Sequence, residues 1–152
     1  MRKYYLPSFL KDVCNQEKYE RWLRRAAKRH IKRDRKRGNV LDSPKSYREA
    51  IHNAVRTKGE FDSYTGERLD WSLISTYNNA ESKAKRRKYK ALFALLPSVD
   101  HVGDGTSAAN FRLCGWRTND AKNDLTYSEF LELCQRVCKF ASAANSHSDI
   151  RS

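Results

Sequence analysis

Apolar residues in the first third of the chain fall on one side of two predicted helices. Over residues 19–37 they recur every three or four positions while Lys and Arg fill the rest, and Gly38 gives a helix stop. A second helix over 44–59 starts with a proline, after a cap by Asp42 or Ser43. Each pattern predicts a helix that buries one apolar stripe.

Short extended segments and one helix are predicted in the middle of the chain. Residues 61–71 predict two short extended pieces around a turn, and residues 79–96 predict a helix that Pro97 closes. The apolar runs 98–102 and 111–114 are joined by a glycine-containing loop. They predict a β-hairpin.

Two further helices are predicted after the hairpin. Residues 117–123 predict a short one, and residues 126–129 form a capping box that opens the last. Cys134 and Cys138 fall on the apolar stripe of that last helix, so we expect packing to bury them. From Ser142 the chain is small and polar and is expected to fray. Together the elements predict an α+β fold, mainly helical with one short antiparallel hairpin.

Charge narrows the class of partner. The 152 residues include 31 Lys and Arg against 18 Asp and Glu, a formal net charge of +13. This excess favours nucleic acid before a membrane surface or an acidic protein, and the basic residues are clustered. The alternative is a soluble basic protein whose charge runs are solvated helix faces. Candidate contacts to the phosphate backbone are Arg24, Arg25, Lys28, Arg29, Lys32, Arg33, Arg86 and Arg87.

Four cysteines and the absence of long apolar runs indicate the compartment. The chain shows no apolar leader at its start and no run of about 18 apolar residues, so no membrane association is expected. A chain long enough to bury a core without staples is expected to keep its cysteines reduced. We therefore expect a cytoplasmic protein.

Candidate chemistry concentrates in residues 99–124. His101 can accept a proton from water near neutral pH, and Asp100 offers a hard oxygen for Mg²⁺ or a similar ion. Adjacent strand residues point to opposite faces, so these two reach one centre only at a twisted strand end or a bulge. We expect such a distortion there. A one-metal phosphodiester-cutting site follows from these parts.

Three amide and amine side chains complete the candidate site. Asn119, on the helix after the hairpin, offers an amide oxygen as a second hard ligand. Lys122 would share its helix face and reach a phosphate, and Arg117 is a further candidate for nucleic-acid contact. Asn110 can tie the loop down and hold the backbone of His101 in place.

The segment resembles the HNH, or ββα-metal, endonucleases. That family has a strand with Asp-His, a loop, a second strand opened by Asn, and a helix with Asn-x-x-Lys, nine residues from Asn to Asn as in this chain. By resemblance, Asp100 and Asn119 bind one Mg²⁺ or Mn²⁺, His101 is the general base and Asn110 orients it. The resemblance implies a DNA endonuclease that leaves 5′-phosphates.

A chain of 152 residues predicts one domain, and the resemblance makes it an HNH-like nuclease domain over 1–152. A basic helical part would cover 1–59, a ββα-metal core region 60–130 and a C-terminal helix 126–144. The specific match is confined to 99–124. A non-catalytic nucleic-acid-binding module, or a nuclease directed at RNA, remains the alternative. A homodimer is possible, since one such site cuts one strand per encounter.

The chain departs from the family at its zinc knuckle. Many members hold a structural zinc between two Cys-x-x-Cys pairs, and this chain offers no such ligands, so no structural zinc is expected. Packing by Trp71 and Trp116 is expected to replace it. Asp104, in the loop, is a carboxylate that could move toward a metal. The four positions that correspond to the zinc ligands are Asp62, Thr65, Gly115 and Thr118.

Overall fold

The computed structural model of the protein describes residues 3–103 and 105–148. It is an α+β structure, mainly helical with a two-stranded antiparallel sheet, as the sequence predicts. Its helices are α1 (Gln16–Lys36), α2 (Pro44–Lys58), α3 (Asn79–Lys85), α4 (Arg87–Leu92), α5 (Trp116–Lys122) and α6 (Tyr127–Ser148), and its strands are β1 (Pro97–His101) and β2 (Phe111–Gly115). Single 3₁₀ turns occupy Ser8–Leu10 and Trp71–Leu73. The chain divides into two compact units, Met1–Ala121 and Lys122–Ser152.

Caps define the starts of α1 and α2. The Asn15 side chain accepts a hydrogen bond from the Lys18 amide at the start of α1. Ser43, of the two predicted candidates, caps α2, with Ser46 completing a capping box and Pro44 at the first helical position. Both helices bury the predicted stripes, and the core of the first unit lies between them and the hairpin.

The hairpin is confirmed, with strands shifted by about one residue from the prediction. Its register runs without interruption from Pro97 opposite Gly115 to His101 opposite Phe111. The expected bulge or distortion at 100–101 is therefore wrong. The ladder stays regular because the side chains of His101 and Phe111 pack side by side on one face, with ring centroids 4.8 Å apart.

The predicted single helix over 79–96 is wrong. It is broken at Arg86, whose φ of 49° ends α3 and precedes α4. Basic side chains crowd the break, and like charges at helical spacing destabilise a continuous helix. Aromatic packing holds the second piece, because the Tyr89 ring lies 5.4 Å from that of Tyr77 and 4.8 Å from that of Phe93.

In residues 61–71 the extended structure is limited. One antiparallel bridge joins Phe61 to Arg68 around a turn, and Trp71 already belongs to a 3₁₀ turn. The Trp71 indole donates to the Gly59 carbonyl at 2.7 Å and stacks edge-on to Trp22 of α1. This segment is thus attached to the helical core rather than extended into a sheet.

The second unit consists mainly of α6. Its predicted capping box is confirmed, since the Thr126 amide donates to the Glu129 carboxylate at 2.8 Å and the Glu129 amide donates to Thr126 Oγ1 at 3.3 Å. The predicted fraying from Ser142 is wrong for residues 142–148, which belong to α6, and the rest of that tail lies outside the described residues. Within it, the Ser142 hydroxyl donates to the Cys138 carbonyl at 2.9 Å, a bond that serine side chains form to the carbonyl four residues earlier in a helix.

The predicted burial of Cys134 and Cys138 is also wrong, because both are exposed. Periodicity identifies the apolar side of a helix, but burial requires another element over that side. No disulfide joins any of the four cysteines, all of which lie in the described part of the chain. Among the described residues, no helix is long and apolar enough to cross a bilayer. The large apolar side chains that α6 exposes are Tyr127, Leu131, Leu133, Val137 and Phe140.

Candidate active site

His101 ends β1 and is oriented by a carboxylate from α1. Its Nδ1 lies 2.6 Å from Asp34 Oδ2, and the Tyr47 hydroxyl donates to the same oxygen at 2.8 Å. All three residues are buried. Burial raises the pKa of Asp34, but the hydrogen bonds from Tyr47 and His101 outweigh it and hold that pKa below its usual value. An ionised Asp34 requires a donor at Nδ1, so it fixes the ring orientation of His101.

The loop between the strands covers the other ring nitrogen. His101 Nε2 lies 3.2 Å from the Ala108 carbonyl oxygen, and the residue is only 2% exposed. Asn39, just after α1, holds this loop by donating its amide to the carbonyls of Gly105 at 3.0 Å and Ser107 at 2.9 Å. The Asn39 side chain thus anchors this loop, which is the role that the sequence predicts for Asn110.

Gly105 brings the loop backbone directly onto Asp34. Its φ is +83°, and a Cβ added there would lie 2.9 Å from Asp34 Oδ1. The position needs glycine both for its left-handed backbone and for this close approach.

Asp100 lies on the opposite face of the hairpin from His101. The regular ladder makes neighbouring side chains alternate, so Asp100 faces away from the Asp34 side. The Tyr64 hydroxyl donates to Asp100 Oδ2 at 2.5 Å, and Asp100 is 4% exposed. The Arg112 guanidinium, from the residue paired with Asp100, lies 5.9 Å from the Tyr64 ring centre. This face is therefore polar and bears opposite charges.

Asn119 of α5 belongs to the same face as Asp100. Its amide donates to Ser98 Oγ at 3.0 Å, and Ser98 stands two residues before Asp100 in β1. Side chains two apart in a strand share a face. The structure thus brings the two predicted metal ligands to one face and sets the predicted base on the other.

The donor chemistry on this face fits a hard divalent cation. A carboxylate from Asp100 and an amide oxygen from Asn119 are ligands that Mg²⁺ accepts, since it keeps several waters and is often held by few protein groups. Across the described part of the chain, no cluster of three or more His, Cys, Asp and Glu side chains forms a closed metal cage. An ion held by these two side chains alone would need water or phosphate oxygens to complete its coordination.

The other predicted site residues are dispersed. Asn110 is exposed, and its carbonyl accepts from the Val102 amide at 2.8 Å. Lys122 is buried at the end of α5. Arg117 is exposed and forms an ion pair with Glu67. Asp104 lies outside the described residues.

Most of the predicted phosphate contacts do lie at the surface. Arg33 is the exception on α1, because it is half-buried and its Nε lies 3.5 Å from Asp34 Oδ1. The remaining ones are exposed, namely Arg24, Arg25, Lys28, Arg29, Lys32, Arg86 and Arg87.

A buried carboxylate connects three of the four positions that the resemblance aligns with zinc ligands, namely Asp62 itself, Thr65 and Gly115. Asp62 Oδ1 accepts from the amides of Tyr64 and Thr65 at 2.8 and 3.1 Å, and its Oδ2 accepts from the Gly115 amide at 2.8 Å. The expectation that Trp71 and Trp116 replace the knuckle by packing stays a prediction. Three hydrogen bonds to a buried carboxylate make the connection.

Asp34 is the main residue that sequence reasoning overlooked. It was visible only as the lone acid among the basic residues 21–37, yet it lies on the buried stripe, four residues after His30 and three residues after Ile31. An acid on an apolar stripe needs a buried donor, and this signal could have identified it. Tyr47 and Tyr64 carried no comparable signal, because their hydroxyl partners come from distant segments.

No protein-family model, curated protein or solved structure matches this chain.

Proposed function

We propose that this protein is a metal-dependent endonuclease that hydrolyses phosphodiester bonds, with DNA as its first substrate and Mg²⁺ or Mn²⁺ as its cofactor. The observation that carries the proposal is a hairpin and helix with two hard-oxygen side chains, Asp100 and Asn119, on one face. The next strand residue is a histidine held by a buried carboxylate. The exposed basic residues of α1 support a polyanionic substrate.

Asp100 and Asn119 would hold the ion, while Tyr64 and Ser98 orient these two side chains through their hydrogen bonds. When bound, the ion neutralises charge on the phosphate and stabilises the leaving oxygen.

His101 would take the proton from the attacking water. Asp34 keeps Nδ1 as a donor and stabilises the protonated ring, so Nε2 is the nitrogen left to accept. Because Nε2 lies against the Ala108 carbonyl and His101 faces away from Asp100, this role requires the loop to release the ring and the ring to reach water on the Asp100 face. Asn110 closes that loop through its backbone bond with Val102. The loop is thus the part of the site that must move during turnover.

The experiment is conversion of supercoiled plasmid with Mg²⁺ or Mn²⁺. We expect nicked product first, and at least about 100-fold slower conversion in His101→Ala and in Asp100→Asn. Asp120→Asn is the matched control, because it removes an exposed carboxylate beside Asn119, and it should cut as wild type does. Linear product without a nicked intermediate would instead indicate a homodimer. Undiminished cutting by Asp100→Asn would remove that residue from the site.

A second candidate function is a nucleic-acid-binding module without turnover. The burial of His101 and its position opposite Asp100 favour it. Plasmid binding that no divalent metal converts into cutting would support this candidate over the nuclease. In either function, we propose that the protein acts in the cytoplasm.

A further inference from the structure

A cleft lies between α1 and the edge of β1 that does not pair with β2. Its volume is about 500 Å³, within the range of pockets that bind small organic molecules. It lies wholly within the first unit. The lining residues that matter here are Arg29, Arg33, Tyr77, Ser98, Trp116 and Asn119.

The cleft is cationic on its α1 side. Arg29 and Arg33 both line it, and none of its described lining residues is a carboxylate. Arg33 is oriented by His30, because its Nη2 lies 3.1 Å from His30 Nδ1. Burial lowers the pKa of His30 to about 3, so the neutral ring can accept from the guanidinium. Two guanidinium groups on one wall fit a phosphate group.

Two aromatic side chains also line the cleft. The rings of Tyr77 and Trp116 lie 5.8 Å apart between centroids and are tilted by 54°. Both residues are partly exposed where they line the cleft. Partly exposed aromatic rings beside cationic side chains are the arrangement on which proteins stack the bases of single strands.

We propose that this cleft binds one unpaired nucleotide of a nucleic-acid strand, with its phosphate at Arg29 and Arg33 and its base against Tyr77 and Trp116. A base inside a duplex is already stacked on both faces, so the cleft selects single-stranded or locally opened substrate. Asn119 lines the cleft, so the bound nucleotide lies next to a proposed metal ligand. The inference rests on the proposed function for nucleic acid as the ligand.

The test is fluorescence anisotropy in EDTA, so that binding is measured without cutting. The probes are a labelled DNA strand of about ten nucleotides, the same strand with abasic sites, and the matching duplex. We expect the normal strand to bind at least about 5-fold more tightly than the abasic strand and more tightly than the duplex. Equal binding of normal and abasic strands would overturn the proposal.

Two kinds of variant assign the contacts. Arg29→Gln should weaken binding of the normal strand about 10-fold, whereas Arg21→Gln makes the same charge change on α1 outside the cleft and should have less than about 2-fold effect. Trp116→Leu and Tyr77→Leu should each reduce the difference in affinity between the normal strand and the abasic strand. Thermal unfolding of each variant checks that its chain is folded. Equal effects at Arg21 and Arg29 would contradict the assignment.

Failure of this inference is separable from failure of the proposed nuclease. Base-dependent binding without any plasmid cutting would contradict the proposed nuclease activity and support the proposed nucleotide cleft. Plasmid cutting by wild type, together with unchanged strand binding by the cleft variants, would contradict the proposed cleft and support the nuclease activity.

Discussion

The two faces of the hairpin carry adjacent residues into different surroundings. On one face His101 meets Asp34 and Tyr47, which come from α1 and α2. On the other, Asp100 meets Tyr64. Both residues are buried, yet the first face is tied into the helical core and the second into a local turn. Strand alternation thus gives the two residues of the Asp100-His101 motif different roles. His101 anchors the hairpin to the helical core, and Asp100 is the candidate metal ligand.

The largest expected effect is from Asp34→Ala. The variant leaves the Tyr47 hydroxyl and His101 Nδ1 without their acceptor in the core, so the free energy of unfolding should fall by about 3–5 kcal/mol. Urea unfolding measures it.

Asp100→Ala is the matched comparison for that variant. It removes a carboxylate from the other face, and it should lower the free energy of unfolding by only about 1–3 kcal/mol. Equal losses from the two variants would show that both faces anchor the fold alike, and the division between them would fail.

An intermediate effect is expected from Gly105→Ala. The new methyl group would meet Asp34 Oδ1 at 2.9 Å in a left-handed backbone, so the free energy of unfolding should fall by about 2–4 kcal/mol. Gly66→Ala is the control, since Gly66 has a φ of +74° with open space at its Cβ, and it should cost only about 1 kcal/mol. Similar losses of unfolding free energy in both variants would mean that the loop does not pack tightly against Asp34 and His101.

The effect that is smallest near neutral pH, and that grows as the pH falls, is a pH dependence on the His101 face. His30, whose ring lies 5.1 Å from that of Phe111, has its pKa lowered by burial to about 3. Below pH ~6.5 the unfolded chain binds a proton that the folded chain excludes, so stability should fall as pH drops from 6.5 toward 3. The slope should approach about 1.4 kcal/mol per pH unit.

His30→Gln checks this assignment, because glutamine does not titrate. Urea unfolding at pH 7, 6 and 5 should show a shallower slope in the variant than in wild type. The His52 pKa is also lowered by burial, so part of the slope should remain. An identical slope in both proteins would mean that residues other than His30 cause the pH dependence of the free energy of unfolding.

Much of the helical framework and the hairpin could be predicted from sequence, because local signals determine them. The α1 stripe, the Ser43 cap and the box at Thr126 need only neighbouring residues. The break at Arg86 could not be predicted in this way, because the aromatic packing of Tyr89 with Tyr77 holds α4 from outside the helix. The exposure of Cys138 could not be predicted from apolar periodicity either, because periodicity does not show whether another element packs over the apolar stripe.

The candidate site was predicted as a set of residues but not as an arrangement. The spacing of residues identified Asp100, His101 and Asn119 as candidates. Neighbouring side chains in a strand alternate between faces, so Asp100 and His101 could share a face only at a distorted strand. The strand is regular, and these two side chains therefore lie on opposite faces. The structural role of Asp62 was equally hidden, since its bond to the Gly115 amide joins residues 53 positions apart.

By itself, then, the sequence determined the helices with their caps, the hairpin, the basic surface and the candidate residues of 99–124, because each depends on residues close together in the chain. The tertiary structure alone decided that Asp34 orients His101, 67 positions away, and that Asn39 holds the loop over its ring. It also decided that α1 and the edge of β1 enclose a cationic and aromatic cleft. Those features depend on which elements pack together, and packing is a property of the whole core.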